Sequence, residues 1–278
     1  MAYSAHENRI FERAASLLGP DVMAAMEHAR VIQFGVGGVG SWCAEALVRS
    51  GVRHLTIVDD DLVAESNVNR QLMATSGNIG AVKVGAMRER LLQINPEAEI
   101  TALHMRFTAG SAASFGLDGY DYVLDCIDSI KDKIALIMAA TASRATLFSS
   151  MGAARKTDPC GVRVAEFWKV RGCPLGAMLR KRMRQQKLVP AKEFLCVYDE
   201  QVLEAQGTLA HVTGIFGLTL AGLVINSIIG SCGTDVPSEP VRGSAAHPSQ
   251  THAWAPPSDI AEGGMPPGGD LRSTDQNN

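Results

Sequence analysis

The chain has 278 residues, 46% hydrophobic and 20% charged, with a net charge of −3 at pH 7. This composition excludes fibrous, multispanning membrane and wholly disordered chains, and it is typical of a soluble globular protein. The N-terminal residues carry charges at Glu7, Arg9, Glu12 and Arg13 in place of the apolar stretch of a secretory signal, so we expect a cytoplasmic location. The six cysteines form no CxxC pair, and therefore neither zinc nor a disulfide framework has support from their spacing.

Short β-branched apolar runs alternate with segments of helical spacing in the first half of the chain. The runs predict strands at residues 31–34, 55–58, 100–103, 122–124 and 147–149. The helical spacing is clearest at residues 42–50 and 83–94. This alternation predicts an α/β fold with a Rossmann-like, doubly wound and mostly parallel sheet.

The second half of the chain has three distinct parts. Residues 163–204 are irregular and then basic, and residues 212–230 form a nearly charge-free apolar helix. That helix approaches membrane-spanning length, but Asn226 and the repeated glycines favour a helix buried in the fold or at a subunit interface. From Ser231 onward Pro, Gly and Ser dominate without apolar periodicity. We therefore expect one domain over residues 1–232 and a disordered tail over residues 233–278.

A glycine loop lies between the first predicted strand and the following helix. Its glycines are Gly35, Gly37, Gly38 and Gly40. Backbone N–H groups and a helix N-terminus can approach a phosphate there. Asp59 ends the next strand, where an acid can accept hydrogen bonds from ribose hydroxyls, although it could instead cap its loop. These two signals predict a nucleotide and favour NAD as much as ATP.

Two cations discriminate between these nucleotides. Arg70 lies between Asn67 and Gln71, and Lys83 begins a predicted helix, positions at which they would neutralise anionic phosphates. Nicotinamide dehydrogenases do not need such cations, whereas the pyrophosphate that leaves an adenylation reaction is stabilised by them. Considered singly, either residue could equally be a surface cation.

Two further acids, Asp125 and Asp128, follow the apolar strand at residues 122–124. Open α/β proteins bind ligands at this edge of the sheet. A carboxylate there suits Mg2+ bound with the phosphates of ATP. From its position alone, Asp128 could equally cap the helix predicted at residues 133–142.

In their order along the chain these motifs resemble the ubiquitin-activating-like superfamily, which includes the ThiF and MoeB types of adenylating protein. The resemblance spans roughly residues 9–232 and implies a ThiF-type adenylation domain over residues 1–232. It implies that Asp59 holds the ribose and that Asp128 binds magnesium. The phosphate contacts that it implies are Asn67, Arg70, Gln71 and Lys83. Arg13 resembles an arginine that reaches into the ATP site of the partner subunit, which implies a homodimer.

Two later stretches, residues 149–159 and 174–187, taken with residues 9–130, resemble the tRNA threonylcarbamoyladenosine dehydratase family. Between Trp168 and Lys192 there are eight Lys or Arg and no acid, which suits an RNA phosphate backbone better than an ordinary solvated helix face. The candidate tRNA contacts are Arg180, Lys181, Arg182, Arg184 and Lys187.

The resemblance implies the following reaction on tRNA that carries threonylcarbamoyladenosine. ATP adenylates the threonyl carboxylate of the modified adenosine beside the anticodon, and a nitrogen of the same modification attacks to close a ring. Intramolecular attack of this kind benefits from a high effective molarity, so no thioester cysteine is needed. We therefore expect Cys173 and Cys196 to be buried or incidental.

Two other functions stay open on the sequence. A sulfur-carrier-activating enzyme of the ThiF or MoeB type would adenylate the C-terminal Gly-Gly of a small protein, although the CxxC pairs usual for the MoeB type are missing here. A nicotinamide-dependent oxidoreductase is supported by the glycine loop and Asp59 alone. The sequence leaves undecided whether a sulfur-relay protein docks on the chain and which tRNAs are used.

Overall fold

The computed structural model describes residues 3–233. The strands are β1 Arg30–Phe34, β2 His54–Val58, β3 Glu99–Leu103, β4 Tyr122–Asp125, β5 Thr146–Ser150, β6 Arg163–Glu166 and β7 Leu195–Tyr198. The helices are α1 Ala5–Ile10, α2 Glu12–His28, α3 Gly40–Arg49, α4 Lys83–Ile94, α5 Ile130–Ala142, α6 Pro174–Gln185 and α7 Ala210–Ser231. All but the first residue of the tail predicted over residues 233–278 lies outside the described residues, so its disorder stays a prediction.

The strands form one sheet in the order β3-β2-β1-β4-β5-β7-β6. Every neighbouring pair is parallel except β6 and β7, which are antiparallel. The chain builds outward from β1 to β3 and then returns to β4 on the other side of β1. This reversal is the topological switch point at which open α/β sheets bind ligands. The predicted doubly wound, mostly parallel sheet is therefore confirmed.

Helices cover both faces of the sheet. On one face α2, α3, α4 and α7 share a core with Val31, Leu55 and Leu124. On the other face α5 and α6 pack with Ile32 and Val123. Because side chains alternate across a strand, consecutive residues such as Val31 and Ile32 enter opposite cores. Strands buried on both faces are apolar throughout, which explains why β1, β2, β4 and β5 are visible in the sequence.

The sequence pattern does not predict β6 or β7, which lie in the segment interpreted as irregular. Each has four residues, and β6 exposes Arg163 and Val164 on the edge of the sheet. Such short strands carry little apolar alternation, so the pairing of β7 with β5 and of β6 with β7 decides their conformation. The sequence also starts the helix after β4 at residue 133, one turn later than α5 begins.

Helix α7 matches the interpretation of a buried apolar helix. Among the described residues it is the one helix that is long and apolar enough to cross a membrane, with a hydropathy of 2.0 in its most apolar window. However, 56% of that window is buried inside the fold. The helix packs on α3, α2, β5 and β7, as the core helix of a globular domain does.

A close crossing of α7 and α3 gives a test of this packing. A Cβ added at Gly217 would lie 2.8 Å from Trp42 Cβ and 2.9 Å from Cys43 N, so Gly217→Ala must push the two helices apart. We expect a loss of about 1–3 kcal/mol in the free energy of unfolding. Gly222→Ala is the matched control, because no atom of residues 3–233 lies within 4 Å of its added Cβ. The control should be neutral or stabilising by up to about 1 kcal/mol. Urea unfolding measures both variants, and equal midpoints would contradict the close crossing.

Candidate functional site

A cavity of about 480 Å³ opens at the carboxyl ends of the parallel strands. Its walls come from the loops that follow β1, β2, β3, β4 and β5, together with the start of α6. The cavity therefore straddles the reversal between β1 and β4. Its position agrees with the general rule for ligand sites in open α/β sheets.

The glycine loop forms the floor of the cavity. Gly35 has φ +91°, a conformation that side chains rarely adopt, and an added Cβ would lie 2.7 Å from the Cys126 carbonyl oxygen. Gly37 and Gly38 line the cavity beside it. The absence of side chains lets a ligand approach the backbone closely.

Gly40, which was predicted to contact the nucleotide, does not line the cavity. It is buried at the start of α3. An added Cβ there would collide with the carbonyl of Gly35, and the Gln33 amide donates to the Gly35 and Gly40 carbonyls at 3.0 and 2.9 Å. The close packing of strand, loop and helix therefore accounts for Gly40.

Asp59 follows β2 and is half-exposed in the cavity wall. Its Oδ2 accepts a hydrogen bond from the Val36 N–H at 2.7 Å, and its Oδ1 accepts from the Asp61 N–H at 2.9 Å. The carboxylate thus fixes the glycine loop and caps its own loop, and it remains within reach of a ligand. Carboxylate oxygens of Asp59, Asp60 and Asp61 lie within 4.8 Å of one another, so this wall is strongly acidic.

The two predicted cations, Arg70 and Lys83, both line the cavity. Lys83 is only 5% exposed, and its Nζ lies 2.7 Å from Asp61 Oδ2, which excludes the alternative of a surface cation. Arg70 is half-buried and donates through Nη1 to the Ser66 carbonyl at 2.7 Å and to Asn69 Oδ1 at 2.9 Å. Both cations are therefore held in place beside the glycine loop.

Two predicted polar residues shape the same wall. Asn67 is buried and its Oδ1 accepts from the Ala64 N–H at 3.0 Å, which closes the turn before Arg70. Gln71 is also buried, and its Oε1 has no hydrogen-bond partner among the described residues. A buried amide without a partner is costly unless a ligand or water supplies one. Gln71 lines the cavity, and its buried Oε1 would need a small shift of the side chain to accept a hydrogen bond from a bound molecule.

A third cation, Arg106, was not predicted from the sequence. It follows β3 and donates through Nε and Nη2 to Asp132 Oδ2 at 3.0 and 2.7 Å. This hydrogen bond, together with the charges of Asp132, Asp60 and Asp61, raises the pKa of Arg106. The sequence feature that could have identified Arg106 is its position three residues after the end of a predicted strand, at the same edge of the sheet as Asp59.

The two acids after β4 lie in opposite environments. Asp125 is fully buried, forms an ion pair of 2.9 Å with Lys133 Nζ and accepts from Ser149 Oγ at 2.7 Å. Asp128 is exposed, lines the cavity and makes no hydrogen bond or ion pair with any described residue. Ser129, not Asp128, is the N-cap residue of α5. The structure thus assigns Asp125 to the core and leaves Asp128 free for a ligand.

The cysteines near the site are unsuited to nucleophilic attack. Cys126 lies in the cavity wall, and burial raises the pKa of its thiol to about 12. Cys173 and Cys196 are buried in the core, and burial also raises the pKa of Cys196. A protonated thiol is a poor nucleophile. The expectation that Cys173 and Cys196 are buried is confirmed.

Arg13 is exposed on α2 and does not line the cavity of its own chain. The basic helix α6, in contrast, starts at the cavity, where Leu175 forms part of the wall. The exposed cations on α6 and just after it are Lys181, Arg182, Arg184 and Lys187. Arg180 differs from them, because it is half-buried and donates to the Phe167 carbonyl at 3.1 Å, and burial lowers its pKa.

The chain is similar in sequence to a family of known proteins. The ThiF family model matches residues 11–253. The chain is 40% identical to the tRNA threonylcarbamoyladenosine dehydratase of Bacillus subtilis over 176 residues, which cover 63% of this chain and 69% of that protein. The molybdopterin-synthase adenylyltransferase of Salmonella typhimurium is 32% identical over 148 residues, 49% of this chain and 58% of that protein.

Solved structures agree with the sequence comparisons. The crystal structure of E. coli tRNA N6-threonylcarbamoyladenosine dehydratase in complex with AMP has a TM-score of 0.79 and 31% identity, and covers 84% of this chain and 99% of that chain. The same enzyme in complex with ATP has a TM-score of 0.78 and the same identity and coverage. The match over residues 11–253 takes in most of the sequence, and the chain therefore belongs to the ThiF family.

Proposed function

We propose that this chain is an ATP-dependent enzyme that dehydrates N6-threonylcarbamoyladenosine in tRNA through an acyl-adenylate of the threonyl carboxylate. One observation carries the proposal. The cavity collects Arg70, Lys83 and Asp128 around a glycine loop, in a fold that matches an ATP- and AMP-bound dehydratase over 99% of its length. The activity named for that relative is the one that this arrangement of charges can perform.

The order of the strands sets the order of the contacts. Asp59, after β2, accepts the ribose hydroxyls, and the glycine loop after β1 receives the phosphates through its N–H groups. Arg70 and Lys83 neutralise the outer phosphates, whose charge increases as pyrophosphate leaves. Residues 150–154, at the end of β5 and after it, form a further part of the wall with the start of α6, and they receive the modified nucleoside.

Asp128 fits a magnesium ligand. Its carboxylate is exposed in the cavity and unpartnered among the described residues, and Mg2+ prefers carboxylate and phosphate oxygens. A bound Mg2+ supplies positive charge to the triphosphate. The protein's own part is to present one hard oxygen ligand beside the phosphate-binding loop.

The chemistry needs two displacements. A carboxylate oxygen of the threonyl group attacks the α-phosphorus, and the bond to pyrophosphate breaks. A nitrogen of the same modification then attacks the activated carbonyl carbon, loses its proton, and the bond to AMP breaks. Because the second nucleophile is already attached to the substrate, proximity replaces covalent catalysis by the enzyme.

The tRNA binds the exposed cations Lys181, Arg182, Arg184 and Lys187, which extend along α6 from the cavity. Arg180, expected with them, contributes instead by fixing α6 to Phe167. Backbone phosphates supply most of the affinity of such a surface. The proposed enzyme is a cytoplasmic homodimer in which Arg13 completes the ATP site of the partner subunit.

A second function, adenylation of a sulfur-carrier protein, has weaker support in the similarity to the Salmonella adenylyltransferase, which covers 49% of the chain. The two functions differ in what stimulates AMP formation from ATP. Dehydration requires tRNA that carries threonylcarbamoyladenosine, whereas sulfur-carrier activation requires a small protein ending in Gly-Gly. AMP release that is unchanged by the modified tRNA would exclude the first function.

The carboxylate of Asp128 gives a direct test of the site. Asp128→Asn should lower tRNA-dependent AMP formation by about 100-fold or more, because a charged ligand is lost from the transition state. The free energy of unfolding should change by no more than about 0.5 kcal/mol, because the exposed side chain has no partner among the described residues. Glu89→Gln, exposed on α4 outside the cavity, is the control with full activity. Full activity of Asp128→Asn would remove the role assigned to Asp128.

The basic helix gives a test that separates tRNA from ATP. Lys181→Ala and Arg184→Ala should weaken tRNA binding and reduce the dependence of log Kd on log salt by about one for each phosphate that is no longer bound. ATP affinity should not change, because neither side chain lines the cavity. Arg49→Ala removes an exposed cation on α3, on the other face of the sheet from α6, and serves as the control. An unchanged salt slope in filter-binding assays would place the tRNA elsewhere.

The role of Arg13 in the partner's site can be tested with mixed dimers. Arg13→Ala and Asp128→Ala are each expected to be inactive as homodimers. A heterodimer purified through two different tags should regain about half of the wild-type activity, because one of its two sites then has both residues. An inactive heterodimer would indicate that Arg13 does not act across the interface.

A further inference from the structure

A buried ion pair below the cavity has no part in the chemistry proposed above. Lys133 in α5 and Asp125 at the end of β4 are both 0% exposed, and their charged atoms lie 2.9 Å apart. A buried ion pair contributes little to stability compared with apolar residues of the same size, because both charges lose their hydration. Stability alone therefore does not explain the pair, and its contacts indicate another role.

The contacts of the pair converge on one residue of the neighbouring loop. Lys133 Nζ donates to the Ile127 carbonyl at 3.0 Å, and Asp125 Oδ1 accepts from the Ile127 N–H at 3.1 Å. Both backbone polar groups of Ile127 are thus bound by the two members of the pair. Ser149 Oγ donates to Asp125 Oδ2 at 2.7 Å and joins the pair to β5.

Ile127 is followed directly by Asp128, whose side chain has no partner among the described residues. Its position therefore depends on the backbone on either side of it. On the C-terminal side, the Ser129 carbonyl accepts from the Lys133 N–H at 2.8 Å in the first turn of α5. Asp128 is thus bracketed by Ile127 and Ser129, and Lys133 binds both of these residues.

We propose that Lys133 and Asp125 are positioning residues, which fix the backbone of Ile127 and so hold the Asp128 carboxylate in the nucleotide cavity. Neither residue lines the cavity, so neither touches the nucleotide. The inference rests on the proposed function, because it assigns to Asp128 the role of a metal ligand. It makes the buried pair the outer support of that ligand, a class of residue whose loss commonly lowers metal affinity.

The test uses a variant that removes both charges together. Asp125→Asn combined with Lys133→Met keeps the volume and leaves no unpaired buried charge. We expect a folded protein that binds ATP as tightly as the wild type in the absence of divalent cation. Its affinity for Mn2+ in the presence of ATP, measured by electron paramagnetic resonance, should fall by about 10-fold or more. The Mg2+ concentration for half-maximal AMP formation should rise by a similar factor.

Ser149→Ala is the structural control, because it removes a hydrogen bond to Asp125 without touching Ile127. It should lower the unfolding midpoint and leave the Mn2+ affinity unchanged. If that double variant does not fold, Asp125→Asn combined with Lys133→Leu is measured instead, because it also removes the donor to the Ile127 carbonyl and leaves no unpaired buried charge. A Mn2+ affinity equal to that of the wild type, in whichever of these two variants folds, overturns the proposal.

Asp128→Asn separates this inference from the function on which it rests. If Asp128→Asn weakens Mn2+ binding and the pair variant does not, the positioning role is wrong and the role of Asp128 stands. If Asp128→Asn leaves Mn2+ binding unchanged, the metal-ligand role fails and the positioning role fails with it. If both weaken it, both are supported.

Discussion

The close approach of Gly35 to the Cys126 carbonyl is the contact on which the rest of the site depends. β1 and β4 are neighbouring parallel strands on either side of the reversal in strand order, so the loops after them leave the sheet side by side. Only a residue without Cβ and with positive φ allows these loops to touch. One loop then lines the cavity with the glycines proposed to bind phosphates, and the other carries Asp128 to the same cavity. A side chain at Gly35 would separate the two halves of the site.

The charges of the cavity are arranged around this contact. Lys83 and Arg106 are held by Asp61 and Asp132, which fixes both cations. For Lys83, which is buried, the ion pair also limits the cost of losing hydration. Asp128 differs, because its carboxylate has no cation among the described residues. A triphosphate bound with a divalent cation would give all of these charges a partner. The phosphates would pair with the cations, and the metal would pair with the Asp128 carboxylate. A nicotinamide dinucleotide would leave the acid without a partner.

The sequence predicts the parts of the site that depend on local patterns. Strands buried on both faces, the glycine loop, Arg70 and Lys83 are all recognisable, because their spacing along the chain reflects the strand edges at which they lie. The roles of Arg106 and Lys133 cannot be recognised in this way. They arise from Asp132 and Asp125, about 26 and 8 residues away along the chain, which only the folded sheet brings into contact with them. The sequence pattern identifies Gly40 but does not predict its role, because close packing of the backbone and close approach of a ligand both require glycine. β6 and β7 are decided by tertiary pairing and leave little trace in their four residues each.

The protonated thiols indicate that the site works without a cysteine nucleophile. With the pKa of Cys126 at about 12, the cavity has no thiolate to offer at neutral pH, and the other cysteines near it are buried. An enzyme whose substrate carries its own nucleophile does not need one. It needs a good leaving group and a fixed geometry, and in an intramolecular reaction the benefit depends on how narrowly the reacting groups are held. A fully buried ion pair that binds both backbone groups of Ile127 supplies rigidity of this kind. In this chain the buried charge is therefore better explained by the precision of the site than by the stability of the fold.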